Sequence, residues 1–358
     1  MPHMPAETQP HARTFLGWPP HGPVWGPYTA AVRGDVAAIA RVVAEYEPVA
    51  LLASPEDAAG ARAACGGAVE IVRIPVDDLW LRDSGPTFVV RDDGRPAGVD
   101  LHFNGWGNKQ AHPRDGVLAE LLLAARGVPR IDAPLTAEGG ALETDGEGTL
   151  LVTESSLVNG NRNPGRSREE IERTLKDLLG VGKVIWLAGV RGRDITDCHV
   201  DALARFASPG TVVLSAPPPG GRPDDVWTRV YAQAREVLST ATDARGRALE
   251  VVELPEPDPA ELGRRGADFL GCYVNYYVAN GVVVVPRFGD RRADERAVSV
   301  LRDLYPGREV RAVEIHDLAE GGGGIHCATQ QQPATPAVPG DGLLATAGAA
   351  LRHRTLRR

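Results

Sequence analysis

The chain is poor in cysteine and scatters what it has: Cys65, Cys198, Cys272 and Cys327 form no CxxC pair. That spacing excludes the paired thiols of zinc and dithiol redox centres and suggests no disulfide framework. Long apolar runs are missing as well. No stretch approaches the ~20 residues of a membrane span, and the opening MPHMPAETQPHARTF lacks the apolar core of a secretory signal. No membrane partner is expected, and the expected compartment is a reducing cytoplasm. Lys and Arg gather into no stripe able to hold a phosphate backbone, and the formal net charge is -8, which argues against nucleic acid. An acidic surface permits a cationic ligand without demanding one.

What is present is ordinary for a globular chain: 358 residues, 43% hydrophobic and 24% charged, enough to bury a substantial core. Helical periodicity followed by a short β-branched run recurs six times. Asp35 to Glu45 leads into PVALLA, Pro55 to Ala64 into VEIVRI, and Asp115 to Arg126 into PRI. Ser167 to Leu179 leads into KVIWL, Pro223 to Ala241 into LEVVEL, and Asp290 to Tyr305 into REVRAV. Such alternation predicts an α/β class. No composition shift marks a boundary, and the Pro-rich Ala216 to Asp225 is short enough to be a loop. One domain over residues 1–335 is therefore expected, followed by a peripheral Pro-, Gly- and Ala-rich tail over 336–358.

Gly-rich segments interrupt the alternation, and loops of this kind carry chemistry on rigid scaffolds. In EGGGGIHCATQQQ, four glycines precede His326 and Cys327. From this run alone, an exposed reactive thiol and a small buried apolar residue are equally open readings. In DITDCHVDALARF, His199 and Asp201 stand two apart and share a face if the stretch is extended; alone, the pair reads more readily as a solvated strand face. In DDLWLRDSGPTFVV, Arg82 and Asp83 follow Trp80 at a turn announced by Ser84, Gly85 and Pro86, where a capping aspartate is the simpler reading. Glu138 precedes a Gly pair much as Glu320 does.

Together, WLRDSGPTFVV, FNGWGN, EGGALETDGEGTLLVTESSLVNGNRNPGRS, HVDALARF, YVNYYVANGVVVVPRFGD and GGGGIHCATQQQP resemble the agmatine deiminase family. That family is a branch of the guanidine-modifying penteins that includes bacterial peptidyl-arginine deiminases, and the likeness runs over nearly the whole chain. It implies an α/β pentein fold, a five-bladed pseudosymmetric propeller of repeated αβ units around a polar centre. It also implies roles: Cys327 as nucleophile, His199 as general acid and base, Asp83 and Asp201 on the guanidinium nitrogens, and Glu138 in the acid–base network. Trp80, Arg82, Trp106, Gly322 and Gly323 are expected beside the substrate. The implied reaction converts agmatine and water to N-carbamoylputrescine and ammonia through a Cys-bound S-alkylthiouronium. It calls for no metal or organic cofactor, and family habit suggests a homo-oligomer.

Rival readings keep part of this picture. Another guanidine, carboxylate-bearing, arginyl or from specialised metabolism, could replace agmatine. An amidinotransferase would pass the amidino group to an amine. A guanidine-binding protein without catalysis has no use for an intact Cys327, His199, Asp83 and Asp201, and a papain-like hydrolase would need Cys before His in chain order. Two segments depart from the family pattern. Ala6 to His11 reads AETQPH in place of AEWEPH, and KQAHPRDGV follows FNGWGN. Both are expected to bound the far end of the substrate, with Lys109 and Arg114 as solvated cations. Cys198, where a Gly is usual, is expected to serve packing.

Overall fold

A computed structural model of the chain describes residues 2–218 and 224–335. The expected tail over 336–358, and the Pro223 edge of one predicted helix, lie outside the described residues.

The architecture is mixed α/β, built from five separate sheets that repeat one pairing rule. In the sheet Ala204–Ser208, Thr211–Ala216, Glu250–Pro255, the first strand runs antiparallel to the second and the second parallel to the third. The helix Val226–Thr240 makes the crossover between the parallel pair. The same order recurs in Thr87–Val90, Pro96–Asp100, Arg130–Asp132 and in Glu143–Thr144, Thr149–Thr153, Lys183–Leu187. It recurs again in Tyr277–Ala279, Val282–Arg287, Glu309–Glu314. The remaining sheet obeys the rule with strands from opposite ends of the described chain. Thr329–Pro333 pairs antiparallel with His11–Gly17, which runs parallel to Val49–Leu52 and, beyond it, Val69–Val72.

A parallel pair needs a crossover long enough to return the chain, and each predicted helix supplies one. Thr29–Ala44 turns Val32, Val36, Ile39, Ala40 and Val43 inward, the 3.6-residue spacing of a one-sided helix. It begins earlier than the predicted Asp35, because Thr29 to Gly34 continue the same buried stripe. Arg168–Leu179 starts at a reciprocal capping box between Ser167 and Glu170 and stops at Gly180, whose φ of 65° suits glycine. Strands covered on both faces read as continuous apolar runs, and Val282–Pro286 is wholly buried. No helix among the described residues is long and apolar enough to cross a membrane.

The expected loops are only partly irregular. EGGAL and GIHCA each fold into one short helical turn, at Gly139–Ala141 and Ile325–Ala328, whereas FNGWGN makes a left-handed turn over Gly105–Asn108, with φ of 66°, 56°, 84° and 62°. The positions of such turns are set by the units. Leu81–Ser84 precedes the strand Thr87–Val90, and Gly139–Ala141 precedes Glu143–Thr144. Val200–Ala202 precedes Ala204–Ser208, and Ile325–Ala328 precedes Thr329–Pro333.

Gly98 shows how closely a crossover helix sits on its sheet, since a Cβ there would lie 2.3 Å from Leu123 Cδ2. Gly98→Ala is therefore expected to lower unfolding free energy by about 1–3 kcal/mol. Urea denaturation checks this; an unchanged midpoint would show that the helix can move outward freely.

Candidate active site

Each repeating unit sends the segment before its first strand to one buried polar centre. Asp83 comes from Leu81–Ser84, Glu138 from the residue before Gly139–Ala141, His199 and Asp201 from the turn around Val200–Ala202, and Cys327 from Ile325–Ala328. The fifth unit contributes Asn275, just ahead of Tyr277–Ala279. Side chains far apart in sequence meet here because equivalent points of the repeat meet.

Asn275 grips the cysteine twice. Its Nδ2 donates to Cys327 Sγ at 3.2 Å, and its Oδ1 accepts from the Cys327 backbone N–H at 3.3 Å. The thiol itself points at Asp201 Oδ2, 3.6 Å away. Burial, then the negative charges of Asp201 and Asp83, push this thiol well above its ordinary value. At neutral pH it is an un-ionised S–H.

His199 is buried, which disfavours its charged form, but Asp83, Glu138 and Asp201 outweigh that and raise it to about 9. At neutral pH it is an imidazolium, with Nε2 donating to Glu138 Oε2 at 3.2 Å and Nδ1 lying 3.6 Å from Asp83 Oδ1. Glu138 is fully enclosed. Burial would lift it, yet His199 and the Arg162 Nε, at 2.7 and 2.9 Å from its two oxygens, hold it below the usual carboxylate value. Arg162 is held in turn by Asp197, 2.8 Å away.

Asp83 accepts from Trp106 Nε1 at 2.8 Å and from the Gly140 N–H at 3.0 Å. Burial raises its carboxyl, with Asp201 and Glu138 adding like charge. Asp201 is held down despite burial by His326, whose Nδ1 stands 2.7 Å from Oδ2. Its other oxygen, Oδ1, is buried and meets no hydrogen-bond partner among the described residues. A Cβ placed on Gly140 would lie 2.7 Å from His199 Nδ1, 2.8 Å from Asp83 Oδ1 and 3.0 Å from Asp201 Oδ2. These three groups thus converge on the one face that glycine leaves open.

The centre opens into a cavity of about 510 Å³ whose lining includes Cys327, His199, Asp201, Trp80, Trp106 and Gly322. Two residues expected beside the substrate are placed elsewhere. Arg82 turns its guanidinium to Glu7 Oε2 at 3.0 Å and Gln331 Oε1 at 2.7 Å, behind the site, and does not line the cavity. Gly323 lies against the Trp80 ring, where a Cβ would come within 2.4 Å of Cζ3. The expectation for Ala6 to His11 also changes, since none of these residues lines the cavity. Lys109 is ion-paired with Asp197 at 2.7 Å, whereas Arg114 is the solvated cation expected. Cys198 is buried, with its thiol pushed by burial to about 12 and a left-handed φ of 69°, a backbone state that glycine adopts without strain.

Sequence reasoning missed Asn275, Gly140, Arg162, His326 and above all Glu7. Glu7 Oε1 accepts from Arg205 Nη2 at 2.9 Å and from the Val278 N–H at 2.8 Å; Oε2 meets Arg82 Nη2 at 3.0 Å and His326 Nε2 at 2.9 Å. The available signal was that AETQPH keeps a Glu beside its departures from the family pattern. Among the described residues, no group of three or more His, Cys, Asp or Glu is placed to hold a metal ion. What the arrangement suits is a planar cation that donates N–H groups to carboxylates in two directions with its central atom beside a thiol.

The comparisons with known proteins point the same way. The model of the Porphyromonas-type peptidyl-arginine deiminase family matches residues 3–333. An agmatine deiminase of Stutzerimonas stutzeri is 39% identical over 355 residues, spanning 93% of this chain and 95% of its own. One from Medicago truncatula is 37% identical over 366 residues, spanning 93% and 96%. The solved agmatine deiminase of Enterococcus faecalis superposes with a TM-score of 0.86 at 29% identity, covering 93% of this chain and 96% of that one.

Glu7→Gln leaves two arginines and a histidine around a weaker acceptor, and should cost about 3–5 kcal/mol of stability. Burial opposes ionisation of Glu7, but Arg205, His326 and Arg82 hold its carboxyl well below the ordinary value. Its contribution is therefore full above the unfolded carboxyl value and is lost as pH falls through the lower folded one. Denaturation of both proteins at neutral and acid pH should show the deficit shrinking in acid; a deficit independent of pH would contradict the assignment.

Proposed function

We propose, from the premise that the chain belongs to the Porphyromonas-type peptidyl-arginine deiminase family, that it hydrolyses the guanidine group of agmatine to N-carbamoylputrescine and ammonia. The observation that carries the reading is the convergence of Asp83 Oδ1, Asp201 Oδ2 and His199 Nδ1 around Gly140, with the Cys327 thiol 3.6 Å from Asp201. The agmatine deiminases among its relatives supply the substrate. On this reading residues 1–335 act as one catalytic domain, and the five units close into the five-bladed α/β propeller of the pentein fold.

A guanidinium is planar, delocalised and rich in edge-on donors, which two carboxylates in fixed orientation can accept in pairs. Asp83 and Asp201 take this role, and the unpartnered Oδ1 of Asp201 is an acceptor awaiting a donor. Seating the cation brings positive charge beside a thiol that carboxylates hold un-ionised, so binding promotes loss of its proton to water in the cavity, from which the thiolate regains it after turnover. The thiolate adds to the guanidinium carbon. His199, an imidazolium tied to Glu138, protonates the departing nitrogen, which leaves as ammonia. The S-alkylthiouronium remains on Cys327. Neutral His199 then takes a proton from water, the oxygen adds to the same carbon, and the thiolate departs, leaving the ureido product. Fixing reactants in this way replaces a bimolecular encounter with an oriented one.

Ammonia release from agmatine by wild type, with mass spectrometry for N-carbamoylputrescine, is the direct test; Cys327→Ala should lower kcat by at least about 1000-fold. Inactivity of wild type on agmatine, arginine, arginyl peptides and guanidino acids alike would end the reading.

The charge state of His199 gives a second prediction. It donates a proton in the first half-reaction, so kcat/KM should fall as pH rises past about 9. A rate profile still level well above that pH would remove His199 as the acid.

A further inference from the structure

Away from Cys327 the cavity continues along a wall that the reaction itself does not use. Glu256 stands there, directly after the strand Glu250–Pro255 and so beyond the carboxyl end of a parallel strand, where α/β folds present ligands. Its backbone N–H donates to Ala216 O at 2.8 Å, and one carboxylate oxygen accepts the Ser215 hydroxyl at 2.9 Å. Ser215 lies 3.5 Å from the Cys272 thiol, which donates to Ala202 O at 3.1 Å. Ala202 follows Asp201. A short row of contacts therefore links Glu256 to the guanidinium end of the same cavity.

Glu256 is surrounded by protein yet keeps some accessible surface where it lines the cavity. Burial lifts its carboxyl to about 7, the Ser215 hydroxyl opposes the rise, and Asp225 adds like charge. No cation among the described residues offsets it. The other acids on the lining are accounted for. Asp78 accepts from Trp25 Nε1, Gln110 Nε2 and the Leu79 N–H at 2.9, 2.8 and 2.8 Å. Asp194 accepts from the Thr196 hydroxyl and the Cys198 N–H. Glu320 accepts from the Gly266 N–H beside Arg265, and Asp268 is exposed, where water screens its charge.

We propose that Glu256 receives the cation at the far end of the substrate, selecting guanidines that end in an amine over those that end in a methyl or a carboxylate. The inference rests on the guanidine-hydrolase reading and adds the residue that sets its substrate class. A carboxylate enclosed without a counter-ion is made good by an ammonium, gains nothing from a methyl and repels a second carboxylate.

The test compares agmatine with pentylguanidine, which carries a methyl in place of the amine, and with 5-guanidinopentanoate, which carries a carboxylate there. The wild-type preference in kcat/KM for agmatine over pentylguanidine should fall by about 10- to 100-fold in Glu256→Gln, mainly through KM, while 5-guanidinopentanoate gains on both. Calorimetry of the same ligands on Cys327→Ala, with and without Glu256→Gln, reads the preference without turnover, and thermal melting verifies folding. An unchanged agmatine-to-pentylguanidine ratio, or an equal loss on both ligands, overturns the proposal. If wild type hydrolyses none of the three, calorimetry separates the two ideas. A preference for agmatine that depends on Glu256 keeps the assignment and removes the hydrolase reading, and its absence removes both.

Discussion

The carboxylate of Glu7 sits out of water among Arg205, Arg82, His326 and the backbone of Val278, and each of those contacts comes from a different part of the chain. A charge in such a place is tolerable only when every lone pair is met. Meeting them orders the neighbours: Arg82 precedes Asp83, His326 precedes Cys327, and the other nitrogen of His326 holds Asp201. Arg205 extends the arrangement to Glu143, 3.2 Å away. The reactive groups thus take their positions from a buried lattice of ion pairs lying immediately behind them, and not from the cavity surface.

In front of that lattice the charges do not balance. Asp201 lines the cavity and Asp83 stands just behind that lining beside Gly140, neither ion-paired with an arginine among the described residues, and His199 is shared between Asp83 and Glu138. The same imbalance that attracts a cation opposes ionisation of the thiol. On the proposed reading a guanidinium resolves the conflict, because it would supply positive charge to the carboxylates and to the thiol alike. Selectivity for a cation and activation of sulfur would then share one electrostatic cause.

The helix-then-strand repeats were legible because each crossover helix buries one stripe and each central strand is covered on both faces, patterns that local sequence records directly. Cys327, His199, Asp201, Asp83 and Glu138 stood out beside glycines or in compact acid–base pairs, and the family resemblance joined them. Glu7 could not be found that way. Its link to Arg205 spans 198 residues, and the Glu kept in AETQPH shows that a position matters without separating a buried hub from a surface acid. Asn275 lay inside YVNYY, where the apolar pattern of a strand conceals a polar side chain turned to the centre. Arg82 differs for the opposite reason: adjacent residues in a tight turn point apart, so its neighbour Asp83 turns to Trp106 and Gly140 while Arg82 turns to Glu7 and Gln331 in the lattice behind. Gly140 and Gly323 differ by what stands against them, an imidazole and two carboxylates in one case and an indole in the other.

The strand His11–Gly17 has Val49–Leu52 on one side early in the chain, but its other edge is covered only by Thr329–Pro333, the last strand described. As the polypeptide leaves the ribosome, that second edge stays open while four further sheets are made. Open edges invite pairing with other chains, so the nascent protein carries a long-lived aggregation hazard that the finished one lacks. Sheltering by chaperones during synthesis would matter more for this fold than the stability of the completed molecule suggests.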